Sequence, residues 1–264
     1  MVHNFDPVFI DLGIFQIRWY SLAYIAGIVL GWLYAIKIIE KLSLKKNYFL
    51  VRREEFDELI TYLVIGIVLG GRLGYVIFYN FRYYSENIIE VFKLWQGGMS
   101  FHGGLIGLII AVYIYSKKSK TSFFKFADII SCVAPIGIFL GRIANFINGE
   151  LYGKVSTLPW AIIFPYAGNV ARHPSQIYEA ILEGFILFIL LNYLAFKKNL
   201  IIKSGYISGL FLIFYSILRI IAENFREPDV HIGYLFNYIS MGTLLSLIIF
   251  FVGFVIILLI KKNE

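Results

Sequence analysis

Seven apolar runs, each about as long as a lipid bilayer is thick, divide this chain. They extend roughly from Arg18 to Ile39, Phe56 to Asn80, Gly98 to Ser116, Phe126 to Asn148, Gln176 to Phe196, Gly205 to Phe225 and Phe236 to Ile260. A helix needs about 20 residues to cross the hydrocarbon. In lipid every backbone amide must find its partner within the segment, so runs of this length predict helices. Of 264 residues, 59% are hydrophobic and 16% are charged. An ordinary soluble domain carries about 25% charged residues. A soluble core of this size cannot hide so much apolar surface. A disordered chain is excluded too, because 18% of the residues are aromatic. The expected fold class is an all-α polytopic membrane protein with about seven transmembrane helices.

The basic residues set the expected orientation. Lys37, Lys41, Lys45, Lys46, Arg52, Arg53, Lys117, Lys118, Lys120, Lys125, Lys197, Lys198, Lys203, Lys261 and Lys262 fall on alternate links, hence on one side. The positive-inside rule makes that side cytoplasmic, with the N-terminus outside and the C-terminus cytoplasmic. The net charge of +7 therefore marks orientation and not a nucleic-acid partner. The first nineteen residues hold Asp6, Asp11 and Pro7 without a basic leader, so no cleavable signal peptide is expected. The single cysteine, Cys132, permits no intrachain disulfide and no Cys-based metal site. The whole chain, 1–264, reads as one transmembrane domain, with a small extracytoplasmic cap around 149–175 that holds Pro159, Pro165 and Pro174.

Charged residues within such runs are costly and usually face a protein interior or a water-filled cavity. Arg72, His102, Arg142, Glu179, Glu183, Arg219 and Glu223 are of this kind, with Asn145, Asn148 and Glu150 beside them. Arg142 and Asn145 share a helix face, and Gly149 is the expected helix end. Tyr215, Arg219, Glu223 and Arg226 form one stripe. In the expected topology His102, Arg142, Asn145, Glu150, Glu179 and Glu223 lie in the outer half, which suits a site better than a transmembrane path. Plainer readings compete. Arg219 and Glu223 can be a self-neutralising ion pair. Arg72 can pair with the fifth run's carboxylates and only orient helices. His102 can be a satisfied core histidine or part of a re-entrant turn. The glycine pairs Gly66/Gly70/Gly74, Gly103/Gly107, Gly137/Gly141 and Gly205/Gly209 predict close helix crossings.

Arginines near the outer leaflet, flanked by Asn145, Tyr215 and glycine-rich backbone, suit a phosphate, because guanidinium offers a planar fork of donors. At this depth a phosphate is most simply a phospholipid head group. No nucleotide-binding loop is visible. His3, His102, His173 and His231 are scattered, which disfavours a metal, and no cofactor is expected. The available chemistry is charge stabilisation by Arg with proton transfer by His or Glu.

The segment Gly141-Arg142-Ile143-Ala144-Asn145-Phe146-Ile147-Asn148-Gly149-Glu150-Leu151-Tyr152-Gly153 resembles the signature of bacterial prolipoprotein diacylglyceryl transferases. The resemblance extends to Arg18-Trp19-Tyr20, to Gly70-Gly71-Arg72-Leu73-Gly74-Tyr75 and to the glycine-rich block Gly97–Gly107 around His102. It continues through Arg172-His173-Pro174-Ser175-Gln176-Ile177-Tyr178-Glu179 and the block Arg219–Asp229, in the family's order. One departure is a short stretch between Phe164 and Arg172, which implies a reduced cap. The resemblance implies a seven-helix enzyme of the bacterial cytoplasmic (inner) membrane, acting toward the outer leaflet. It would move the diacylglyceryl group of phosphatidylglycerol to the lipobox cysteine of a prolipoprotein signal peptide. Arg142, Arg219 and His102 match the family's critical residues. On that reading Arg142 and Arg219 stabilise phosphate charge, and Asn145 orients the head group. Tyr20 or Tyr215 bonds substrate oxygens, and Gly153 allows close approach. His102 is the candidate base, with Glu150 and Glu223 as alternatives. The partners implied are phosphatidylglycerol, the prolipoprotein signal peptide and membrane lipids, and no nucleic acid is expected. A transporter would instead spread polar groups through both membrane halves and show an inverted repeat. A metal-dependent phosphatidyl transferase would show clustered aspartates.

Overall fold

A computed structural model describes residues 1–13, 16–44, 51–228, 233–235 and 238–262. Lys45, Lys46, Asp229, His231 and Phe236, named above, lie outside the described residues. The protein is an all-α polytopic membrane protein, and each expected run holds a helix. These are α1 (Trp19–Ser43), α2 (Arg53–Tyr79), the short α3 (Phe81–Glu86), α4 (Phe101–Ser119) and α5 (Phe123–Asn148). Next comes α6 (Ser175–Glu179), which runs through a π-helical turn (Ala180–Ile186) into α7 (Leu187–Phe196). The last two are α8 (Tyr206–Glu223) and α9 (Met241–Lys262). Among the described residues six helices are long and apolar enough to cross a membrane: α1, α2, α5, the continuous Ser175–Phe196 helix, α8 and α9. The third expected run folds as α4, with 19 residues.

Short antiparallel pairs join β1 (Val8–Asp11) to β2 (Gln16–Arg18), β3 (Ile162–Ile163) to β4 (Ala171–Arg172) and β5 (Tyr234–Leu235) to β6 (Ile239–Ser240). Strands of two to four residues carry no alternation long enough to read from sequence.

The helices sort into two compact units, residues 1–35 with 128–264, and residues 36–127. In the second unit α2 crosses α4 on glycine. A Cβ at Gly66 would lie 2.6 Å from the Gly107 carbonyl, and one at Gly74 would lie 2.7 Å from Gly103 Cα. Gly70 and Gly103 face each other's backbone in the same way. Near the far end of this helix pair, Tyr115 donates to Glu58 (3.0 Å), which also pairs with Lys118.

In the first unit Gly209 and Gly253 bring α8 against α9. A Cβ at Gly253 would lie 2.7 Å from the Gly209 carbonyl. The other expected glycine pairs do not serve as crossings throughout. Gly205 is the left-handed N-cap of α8 (φ 92°), a conformation that glycine adopts without a Cβ clash. A Cβ at Gly141 would meet open space, whereas Gly137 faces Gly27 of α1, whose Cβ would lie 3.1 Å away. Buried Asp128 of α5 closes the start of α8 by accepting from Gly205 N (2.6 Å), Ser208 N (2.8 Å) and Ser208 Oγ (2.6 Å). Asn192 of α7 ties three helices. It accepts from Tyr34 of α1 (2.9 Å) and donates to the Cys132 carbonyl of α5 (3.2 Å).

Candidate functional site

The first unit buries an ionic cluster between α5, the helix from α6 to α7, and α8. Arg142 Nη1 stands 2.8 Å from Glu179 Oε2, and Arg142 Nη2 donates to Glu183 Oε2 at 3.0 Å. Arg219 Nη1 donates to Glu179 Oε1 (2.7 Å) and Glu183 Oε1 (3.2 Å), while its Nη2 stands 2.7 Å from Glu223 Oε2. Arg226, just past the end of α8, adds a donor to Glu179 Oε1 at 3.2 Å. Three guanidinium groups thus face three carboxylates. Formal charges cancel, which is what a low-dielectric interior demands of buried ions. Glu179 Oε2 and Glu223 Oε2 have ionic contact without a well-aligned hydrogen bond.

The widened π turn begins directly after Glu179 and contains Glu183, and each carboxylate reaches both Arg142 and Arg219. Such turns recur at functional sites. Gly184 lets this turn approach α5, since a Cβ there would lie 2.6 Å from Phe139 Cβ. Access is unequal. Both glutamates are 0% exposed, whereas the side chains of Arg142 and Arg219 keep 17% and 10%.

Arg142 and Asn145 share the last turns of α5, which stops at Asn148 before Gly149 (φ 68°), as expected. The turn brings Glu150 back, so Asn145 Nδ2 (2.7 Å) and Asn148 Nδ2 (3.4 Å) both donate to Glu150 Oε1. Asn145 is buried and Glu150 exposed. The hydroxyls of Tyr20 and Tyr24 are 3.2 Å apart, and Tyr24 lies within electrostatic reach of Glu150 and Arg142. Tyr215 lies within the same reach of Arg142, Arg219, Glu179 and Glu183, and nothing among the described residues hydrogen-bonds its hydroxyl. Glu223 accepts from Ser240 Oγ at 2.8 Å and packs on Gly242, where a Cβ would collide with the carboxylate.

Gly153 lies where three segments meet. Its N–H donates to the His173 carbonyl (2.9 Å), and it bridges Arg226. A Cβ there would lie 2.5 Å from the Phe225 carbonyl and 2.6 Å from that of His173. The close approach that glycine permits is thus of chain to chain. Arg172 seals the same junction. It donates to Glu227 (3.1 Å) and the Gly153 carbonyl (3.2 Å), and it covers the Tyr152 ring. Burial, and the charge of Lys154, hold the His173 ring below the ordinary histidine pKa.

Two of the competing plainer readings do not hold. Glu179 and Glu183 do not pair with Arg72; they pair with Arg142, Arg219 and Arg226. Arg72 donates instead to backbone carbonyls of the connection between α3 and α4. His102 is not a core histidine. It is exposed on the first turn of α4, in the second unit, touching the Phe101 ring. The self-neutralising reading of Arg219 and Glu223 holds only in part, because Arg219 is shared among three carboxylates. The sequence showed Glu179 and Glu183 four residues apart in an apolar run. Their partners on other helices had no local signal.

Comparison with known proteins agrees with this picture. The family model "Prolipoprotein diacylglyceryl transferase" matches residues 7–259. A phosphatidylglycerol–prolipoprotein diacylglyceryl transferase of Rickettsia bellii (strain OSU 85-389) is 51% identical over 261 residues, covering 99% of this chain and 96% of the relative. Its counterpart in Rickettsia typhi (strain ATCC VR-144 / Wilmington) is 50% identical over 243 residues, with 92% of each chain covered. That of Rickettsia felis (strain ATCC VR-1525 / URRWXCal2) is 48% identical over 250 residues, with 95% of each covered. With a family match over nearly its whole length and relatives at half identity, the chain belongs to the prolipoprotein diacylglyceryl transferase family.

Proposed function

We propose that this chain transfers the diacylglyceryl group of phosphatidylglycerol to the lipobox cysteine of a prolipoprotein signal peptide. The sulfur attacks the glyceryl carbon that bears the phosphate oxygen. A C–S bond forms, the C–O bond breaks, and glycerol phosphate leaves with the bonding pair. The observation that carries this reading is the buried cluster in which Arg142 and Arg219 are fixed by the fully buried Glu179 and Glu183 while keeping a small exposure of their own. Negative charge grows on the phosphate oxygen as the C–O bond breaks, and preorganised guanidinium is worth most in a dry site. The paired carboxylates hold the two forks in place and offset the repulsion between the two guanidinium charges. Arg142 and Arg219 act on the phosphate. Asn145, oriented by Glu150, and the hydroxyl of Tyr215, with that of Tyr20, meet substrate oxygens. Glu223 holds Arg219, and Gly153 closes the loop wall beside Arg226.

A thiolate is required, and His102 is the base that takes the thiol proton. Its imidazole is exposed at the start of α4. The enzyme works in the bacterial cytoplasmic membrane, with the site toward the outer leaflet, among membrane lipids. α4 serves as the seventh crossing, since 19 residues span about 28 Å at 1.5 Å per residue. The chain acts as a single transmembrane domain, its N-terminus outside, its C-terminus cytoplasmic, and residues 149–175 its cap.

The test uses purified protein in detergent with phosphatidylglycerol and a lipobox peptide. Glycerol phosphate release that requires the peptide's cysteine, with a diacylglyceryl gain in peptide mass, is expected. Folded protein that gives neither product refutes the reading.

A further inference from the structure

Arg72 is 2% exposed, inside a helix that crosses the membrane, and among the described residues every hydrogen-bond partner it has is a backbone carbonyl. Nε donates to Val91 (2.8 Å), and Nη2 donates to Glu90 (2.6 Å) and Lys93 (3.4 Å). Nη1 donates to Gly97 and to Gly98 (3.2 Å), and the guanidinium covers the Tyr84 ring at 5.1 Å. A single side chain therefore gathers the whole connection between α3 and α4, built of two 3₁₀ turns, Ile88–Phe92 and Leu94–Gln96. The Glu90 carbonyl also accepts from Lys93 N (3.2 Å), and the guanidinium adds donors for it and for the four other carbonyls of the connection. Lysine has no planar fork to serve five acceptors at once.

The outer face of this connection is apolar. Ile88, Ile89, Phe92 and Trp95 are 69%, 76%, 74% and 79% exposed. Its two charged side chains, Lys93 and Glu90, pair with each other. The chain enters it from α2, through α3, and leaves it into α4, two apolar helices packed together on glycine. A neutral, large-residue apolar face at the end of such a pair is flanked by lipid, and tryptophan favours the head-group boundary.

We propose that Ile88–Gln96 is an interfacial element, seated in the head-group and acyl boundary of the bilayer, and that Arg72 is the positioning residue that holds it there. The same clamp sets where α4 starts. Ser100 N donates to the Gly71 carbonyl at 2.8 Å, and a Cβ on Gly98 would strike the Tyr75 ring. Ser100 then caps α4 by accepting from Gly103 N. The proposal rests on the membrane-protein fold and not on the transfer reaction, so the two fail separately.

The experiment keeps Trp95 as sole tryptophan by changing Trp19, Trp32 and Trp160 to Phe. The full chain is reconstituted in phosphatidylcholine vesicles. Brominated acyl chains, with bromine near the head group or near the chain end, report depth, and aqueous iodide reports water. The proposal expects strong quenching by the shallow bromine, weaker quenching by the deep one, and weak quenching by iodide. Arg72→Gln should shift quenching from bromine toward iodide several-fold. Arg72→Lys, which keeps the charge without the fork, should shift it the same way. Strong iodide quenching with the native Arg72, or shielding of Trp95 from both quenchers by a second copy or another protein segment, overturns the lipid assignment. Folded Arg72 variants with unchanged quenching overturn the positioning role. If neither variant folds, the result with native Arg72 decides the lipid assignment alone.

Discussion

At Arg142 two properties coincide that rarely do so in a membrane protein. The guanidinium is held by two fully buried carboxylates, yet part of it stays accessible. Arg142→Ala is expected to abolish transfer while leaving insertion intact, as read by product formation and by membrane fractionation, and to lower the melting temperature because two buried carboxylates lose a partner. Arg142→Lys keeps the charge but loses the fork, so kcat should fall about 100-fold, or about 2.7 kcal/mol. Glu183→Gln leaves one face of both arginines unpaired and should cost about 3–5 kcal/mol of stability, read from denaturant titration. His173 carries a pH prediction. Its folded pKa is lowered, so below the ordinary histidine value the unfolded chain binds more protons and stability falls with pH. Melting temperature should therefore drop on acidification from about pH 7 toward pH 5. His173→Gln should flatten that slope, whatever it does to the neutral value. Arg142, Asn145 and Arg219 were legible in sequence because charge inside an apolar run is conspicuous. The partnership of Glu179 with three arginines was not, because it joins helices far apart in the chain.

Among the elements, the crossing of α2 and α4 depends on missing side chains. Gly103→Leu would drive a branched side chain into the backbone of Gly70 and Gly74 and should cost more than the about 1–3 kcal/mol of ordinary overpacking. Loss of the folded fraction on size exclusion would show it. Asp128→Ala removes the acceptor of three buried donors at the start of α8 and should cost about 1–3 kcal/mol. The helices themselves were readable, since length and apolarity fix a crossing almost regardless of detail. The glycine spacing of α2 and α4 also marked a close-crossing face on each, though not which helix it meets. The same spacing misled at Gly205, whose positive φ serves a cap, and at Gly141, which faces open space. The connection around Arg72 had no periodic signal. Its order comes from one side chain meeting five carbonyls, which no local pattern encodes.

For the whole molecule, a family match over residues 7–259 and a charge-balanced arginine cluster lead to one reaction class. A transport reading has no comparable support. The expected one-sided depth of the polar residues suits chemistry at a membrane surface. In the proposed reaction Arg142 and Arg219 stabilise the charge that builds on the leaving phosphate as a carbon–oxygen bond breaks. Phosphatidylglycerol carrying heavy oxygen at the position bridging the diacylglyceryl carbon and phosphorus tests this directly. After turnover with a lipobox peptide, mass analysis shows which product keeps the label. The account predicts that all of it leaves in glycerol phosphate, with the peptide unlabelled and joined through sulfur. Label retained on the diacylglyceryl product would mean that the phosphorus–oxygen bond breaks instead, and would contradict the role given to Arg142 and Arg219.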